Sequence, residues 1–145
     1  MPVRIEIESQ PHEQDQRLID EGLDIFNFAK AGPDNPQDLW VMARDANGSL
    51  IGGLKGRSTY AWLFIDWLWV SSEVRGQGVG AKLMKKAEDA AQQRKCLGAY
   101  VSTFSFQAPE FYRRIGYEDF GRIEDFPVGH ACVWLKKTFN QPENA

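Results

Sequence analysis

The sequence predicts a mixed α/β (α+β) fold, with one mostly antiparallel sheet of about seven strands flanked by helices. Three observations predict it. Short apolar runs of strand length outnumber the helical patterns. Hairpins dominate the first half, and Asp45-Ala46-Asn47-Gly48 carries an Asn-Gly, a strong hairpin signal. A single strand–helix–strand crossover sits in the middle. The order reads β-α-β-β-β-α-β-α-β-β, which is not the alternation of a doubly wound sheet.

Each element has its own signal. Val3, Ile5 and Ile7 alternate with Arg4, Glu6 and Glu8, so residues 3–8 read as a half-buried strand. Pro11 breaks it, and residues 13–29 read as a helix with Leu18, Ile19, Gly22, Leu23 and Phe26 on one stripe. Gly32, Pro33, Asn35 and Pro36 mark a loop. Residues 39–44 and 49–56 form the hairpin, and residues 63–70 are the most apolar strand, with Asp66 as the only charge. In 78–94, Val79, Leu83, Ala87 and Ala91 recur every four residues against Lys82, Lys85, Lys86 and Asp89, a helical pattern. A strand at 99–104 follows, then a short helix at 109–114 with Gly116 just past its end. Residues 117–123 and 131–136 are the last strands, and 141–145 are expected to fray.

With 145 residues and no repeat or linker, the chain is expected to be one domain over 1–145. Hydrophobic residues make up 43%, enough to build a core rather than a disordered chain. The net charge of −3 argues against a nucleic-acid partner. No apolar run approaches the ~18 residues of a membrane span, and the N-terminal stretch lacks the shape of a signal peptide. Cys96 and Cys132 form no Cys-x-x-Cys and read as reduced thiols, so a cytoplasmic location is expected. His12 and His130 have no partners at ligand spacing, and no metal is expected.

The chemistry centres on residues 70–81, where an apolar strand runs through Glu73 and Arg75 into Gly76-Gln77-Gly78-Val79-Gly80 and then a helix. Glycines let the backbone approach a ligand, and a helix start adds free N–H donors and the positive dipole end. The product is a cradle for a phosphate or pyrophosphate. A dinucleotide fingerprint fits poorly, because the stretch about twenty residues on, Tyr100–Thr103, has no acid for a ribose. A Walker loop is excluded, since Gly80 is followed by Ala81-Lys82. A structural turn with helix-packing glycines is the bland alternative.

Arg75-Gly76-Gln77-Gly78-Val79-Gly80 meets the pattern Gln/Arg-x-x-Gly-x-Gly/Ala, and here the chain resembles the GNAT superfamily of N-acetyltransferases. Residues 108–117, Ala-Pro-Glu-Phe-Tyr-Arg-Arg-Ile-Gly-Tyr, look like that superfamily's second hallmark, a tyrosine-bearing short helix ending in Gly-Phe/Tyr. The stretches 65–70 and 103–108 also look like a subgroup of small bacterial members of unsettled substrate.

The resemblance implies an N-acetyltransferase that moves an acetyl group from acetyl-CoA to a primary amine of a small molecule or peptide by direct transfer. It implies that backbone groups of Leu68 and Val70 pair with the pantetheine arm, and that Arg75, Gly76, Gln77, Gly78, Val79 and Gly80 hold the pyrophosphate. A backbone N–H near Leu68 can stabilise an oxyanion. Ser105 stands where many relatives have asparagine, to cap the tyrosine helix or touch the pantetheine, with Gln107 as its substitute. Tyr112 is the expected proton donor to the thiolate; otherwise it is a core tyrosine. Asp66, by strand parity on the side of Leu68 and Val70 and among Trp62, Phe64 and Trp67, is expected to have a raised pKa and to act as base, amine anchor or structural partner. Lys82 and Lys85 reach the outer phosphate or form a solvated face. Tyr60, Trp62, Trp67, Trp69, Phe104 and Phe106 read as mostly core, with one or two at the acceptor pocket. Cys132 is a packing residue. A catalytically inactive acyl-CoA-binding sensor is the alternative within the fold, a structural dimerisation domain the one outside it, and a homodimer is compatible with either.

Overall fold

A computed structural model describes residues 2–140. The chain divides into two compact units, Met1–Asp34 and Asn35–Ala145.

The first unit is built on helix α1, Glu13–Ala31. Glu13 and Asp15 at its start and Lys30 at its end complement the helix dipole. It stops at Gly32, where φ is +77° and the N–H donates to Phe28 O. The expected stripe is present on one helix face, but Leu18, Ile19, Leu23 and Phe26 are all exposed. Residues 3–8 are not a strand, which corrects the sequence expectation: Val3, Ile5 and Ile7 are exposed. Alternation only sorts side chains to two faces; a strand also needs a hydrogen-bonded neighbour, and none exists among the described residues of this unit.

The second unit holds a six-stranded sheet rather than seven strands. Its elements are β1 (Gln37–Arg44), β2 (Leu50–Thr59), β3 (Trp62–Val70), a 3₁₀ turn at Ser72–Val74, α2 (Val79–Gln93), β4 (Gly98–Phe104), α3 (Pro109–Arg114), β5 (Glu118–Glu124) and β6 (Ala131–Thr138). The spatial order is β1-β2-β3-β4-β6-β5, and every neighbouring pair is antiparallel except β3–β4. That parallel pair is the crossover carried by α2, as the strand–helix–strand pattern requires.

Helix α2 covers one face of the sheet. Its apolar stripe buries Leu83, Met84, Ala87 and Ala91 against Leu54, Leu63, Ile65, Val101 and Leu135. The other face carries Trp40, Met42, Trp67 and Trp69, each about half exposed. The aromatic cluster is therefore less of a core than the composition implies: Tyr60, Trp67, Trp69 and Phe106 are exposed, and Trp62 and Phe104 only partly buried.

Candidate active site

A β-bulge sets the geometry of the site. Lys55 on β2 faces Trp67 and Gly56 faces Ile65, so Asp66 is the extra residue on β3. Before it, Leu63 and Ile65 point into the core; after it, Leu68 and Val70 do. The bulge thus resets the side-chain alternation, and the parity expected of Asp66 is overturned. Its side chain is 42% exposed and lies 4.0 Å from Lys55 Nζ on the face opposite α2. The enclosed apolar setting expected of it is absent.

The parallel β3–β4 ladder ends at Ile65–Val101, next to the bulge. Beyond it β3 stays paired with β2 as far as Val70, and β4 stays with β6 as far as Phe104. The two strands splay apart. Ser71 N donates to Ile51 O, which makes 71/51 a hydrogen-bonded pair in that antiparallel ladder. Pairs alternate, so the N–H and C=O of Leu68 and Val70 point away from β2, into the splay. Val70 O accepts from Arg75 Nε at 3.3 Å, in keeping with that direction.

The splay is the inner part of a cleft of about 940 Å³. Arg75, Gly76, Gly78, Val79 and Gly80 line one end. Gly78 caps α2 with φ +79°, a left-handed conformation that side chains disfavour. Lys82 N makes the first intrahelical bond, to Gly78 O, so the amides of Val79, Gly80 and Ala81 are free donors among the described residues. Gly80 packs so closely that a Cβ would stand 3.3 Å from the Phe111 ring. Free amides, a helix N-terminus and Arg75 together fit a pyrophosphate. Gln77 is exposed and does not line the cleft, because the turn points its side chain outward. Lys82 does not line it either, and Lys85 donates to Asp89 Oδ1 at 2.7 Å on a solvated helix face.

Tyr112 lines the cleft from α3 and is only 6% exposed. Its hydroxyl has no hydrogen-bond partner among the described residues, yet no buried side-chain polar atom is left unsatisfied there, so the oxygen opens to the cleft. Burial pushes its pKa up to about 12. The ring packs against Phe111 and Tyr117. Behind it lies a polar joint that the sequence reading missed. Tyr117 O–H donates to Glu88 Oε2 at 3.0 Å, Lys137 Nζ bonds Glu88 Oε1 at 2.8 Å, and the same ammonium donates to Ile115 O at 2.9 Å. Lys137 thereby holds the C-terminal end of α3, the helix that carries Tyr112. Burial and then the Glu88 carboxylate raise the Tyr117 pKa.

One expectation about the β4–α3 turn needs correction. Ser105 caps nothing: α3 has Ala108 at its N-cap with no side-chain bond, and Ser105 Oγ accepts from Ala131 N at 3.0 Å, outside the cleft lining. Gln107 does line the cleft, but its Oε1 is taken by Phe104 N at 2.9 Å and Thr103 Oγ1 at 3.2 Å. Toward a ligand it can only donate, through its amide nitrogen. Cys96 and Cys132 are free and buried, and the described residues contain no His/Cys/Asp/Glu cluster able to hold a metal. No described helix is long and apolar enough to cross a membrane.

Known proteins share this architecture. Residues 4–117 match the sequence model of the Acetyltransferase (GNAT) family. An acetyltransferase of Agrobacterium fabrum is 34% identical over 124 residues, 86% of this chain and 90% of its own length. A blasticidin-S acetyltransferase of Streptomyces morookaense is 45% identical over 91 residues, 62% of this chain and 67% of its own. The crystal structure of an acetyltransferase from Bacillus cereus superposes with a TM-score of 0.84 at 28% identity, covering 92% of this chain and 98% of that one. With a glycine cradle at one end of a strand splay and a tyrosine on its wall, the chain belongs to the acetyltransferase (GNAT) family and is an N-acetyltransferase that uses acetyl-CoA.

Proposed function

We propose that the protein transfers the acetyl group directly to a primary amine of a small molecule, with the single domain 1–145 acting in the cytoplasm. The observation that carries this reading is the splay itself: backbone groups of Leu68 and Val70 that β2 does not pair lie between the glycine cradle and the Tyr112 hydroxyl. The Streptomyces morookaense relative is named for the acetylation of blasticidin S, which favours a small molecule over a protein.

Acetyl-CoA supplies a thioester carbonyl and a thiolate leaving group. Leu68 and Val70 hold the extended arm as an added strand would be held. The amides at 79–81 and Arg75 hold the pyrophosphate, and Gln107 donates to the arm through its amide nitrogen. The acceptor nitrogen gains the acetyl group as the C–N bond forms and the C–S bond breaks. Tyr112 gives its phenolic proton to the departing sulfur and regains one from solvent. The surplus proton on nitrogen leaves through Asp66 or water, since Asp66 stands at the crotch of the splay and is open to solvent.

The test is binding and turnover together. At a hundredfold excess over its dissociation constant, acetyl-CoA should stabilise the fold by about 2.7 kcal/mol. Gly78→Val, which forces a β-branched side chain into a left-handed turn, should remove that shift. Amine-dependent thiol release should accompany binding in the wild type. Equal thermal shifts in both proteins would sink the cradle assignment, and binding without thiol release from any amine would sink the transfer.

A further inference from the structure

From the arrangement around Lys55 we infer that the acceptor end of the cleft selects a monoamine on a flat apolar body and rejects polycations. This inference rests on the transfer reading and adds the substrate class.

Lys55 occupies a small ammonium site of the chain's own making. Its Nζ lies 4.6 Å from the Trp67 ring centroid, 5.5 Å from that of Trp40 and 4.0 Å from Asp66 Oδ2. The two rings meet edge-on at 6.0 Å. Aromatic faces beside a carboxylate are what an ammonium prefers, and here the site is filled from within. The consequence is electrostatic. Asp66 is the only acid among the residues lining the cleft, and Lys55 balances it. Arg75 and Arg114 add positive charge elsewhere along the lining. A first amine can share Asp66; a second or third cationic group finds no carboxylate and meets like charge. Lys55 also disfavours the protonated form of any amine brought beside it, and the neutral amine is the nucleophile.

The walls set the other half of the preference. Trp67 and Trp69 on the β3 arm are 58% and 51% exposed, and Phe106 beyond the β4 arm is 56% exposed; all three line the cleft. Phe106 is held in place by stacking on Phe104 at 5.3 Å and by the edge of His130 at 4.9 Å. Flat apolar faces on both arms suit an aryl or similarly planar body. A hydrated polyol or polyamine chain would leave them uncovered.

The experiment compares 2-phenylethylamine and tryptamine with spermidine and kanamycin. It reads calorimetric binding to the CoA complex and thiol release with acetyl-CoA. The wild type should prefer the aryl amines by about tenfold or more, the size of effect that one near-surface like charge produces. Lys55→Met and, more strongly, Lys55→Glu should narrow that ratio by about fivefold or more by admitting spermidine. Trp67→Ala should weaken 2-phenylethylamine by about fivefold. The wild-type ratio tests the idea even if a variant misfolds. A wild type that favours spermidine or kanamycin, or fails to bind 2-phenylethylamine at millimolar concentration, overturns it. So does a ratio unmoved by Lys55→Glu. Aryl-amine preference in binding without thiol release would leave this inference standing and remove the transfer; thiol release with the preference reversed would do the opposite.

Discussion

Two polar regions lie on either side of the Tyr112 ring, and they treat their hydrogen-bonding groups in opposite ways. In the splay, the backbone of Leu68 and Val70, the first amides of α2 and the Tyr112 hydroxyl are left largely without protein partners. At the joint behind it, Glu88, Lys137, Tyr117 and the Ile115 carbonyl bond one another. An unmet polar group is tolerable only where water or a ligand reaches it, and a met one can be buried. The contrast teaches that unfinished hydrogen bonding marks the ligand site. The finished network beside it keeps the unfinished groups in position.

The largest expected effect breaks the splay side alone. Tyr112→Phe keeps the ring contacts with Phe111 and Tyr117 and removes only the open hydroxyl. General-acid assistance is worth ~10²–10⁴-fold. A donor at about 12 is a weak acid beside a thiol of ordinary pKa ~8.5, which places this one toward the low end of that range. Turnover should therefore fall by about a hundredfold, with acetyl-CoA affinity and melting temperature near wild type. A variant with full turnover would take Tyr112 out of the mechanism. One that mainly melts earlier would show a structural hydroxyl instead.

The next breaks the joint alone. Lys137→Met leaves Glu88, 7% exposed, without its cation and frees the Ile115 carbonyl. Breaking a buried pair costs ~3–5 kcal/mol, and because Lys137 is partly exposed we expect the lower figure, about 3 kcal/mol. The melting temperature should drop by roughly 10 °C. Turnover of the folded fraction should fall further than acetyl-CoA binding, because α3 loses its C-terminal tether. Lys137→Arg should recover much of both. Equal losses in turnover and acetyl-CoA affinity would make the joint a general stabiliser rather than a support for α3.

The two regions were unequally legible. The cradle was written in local sequence: three glycines between a strand and a helix, at a spacing that only backbone geometry explains, and a short helix bounded by Pro109 and Gly116. Asp66 stands out in the sequence by its charge in an apolar strand, but strict alternation assigns it the wrong face. A bulge depends on how two strands align, and strict alternation cannot express it. Ser105 and Gln107 stand out only by position, and their partners, Ala131 and Phe104, are set by tertiary packing. The joint did leave a trace. Glu88 lies on the buried stripe of α2 with Met84 and Ala91, and Lys137 alternates in step with the buried Val133 and Leu135 of β6. An acid and a base at such positions call for each other, but nothing local says that they meet. Residues 3–8 failed for the converse reason, a good pattern without a neighbour to pair with.

The smallest effect sharpens the comparison through pH. Both Tyr112 and Tyr117 have raised pKa values, the first through burial alone and the second through burial and the Glu88 carboxylate. In the unfolded chain each phenol loses its proton near ~10. Between that pH and about 12 the folded state therefore binds more protons than the unfolded one. Stability falls as pH rises wherever that holds. The contribution of these two groups should be fully present below pH ~10 and lost progressively above it. The melting temperature measured from pH 8 to 11 should stay level as far as these groups are concerned and then decline. Tyr117→Phe should soften that decline at the cost of the Glu88 bond. Turnover should show the opposite face of the same shift. Since Tyr112 keeps its proton up to about 12, its donor role imposes no falling limb on kcat below pH ~10, and rates should only rise as the acceptor amine deprotonates. A falling limb near pH ~10 that disappears in Tyr112→Phe would mean that the hydroxyl is more solvated than its burial implies, and that the two sides of the ring differ less than their hydrogen bonds say.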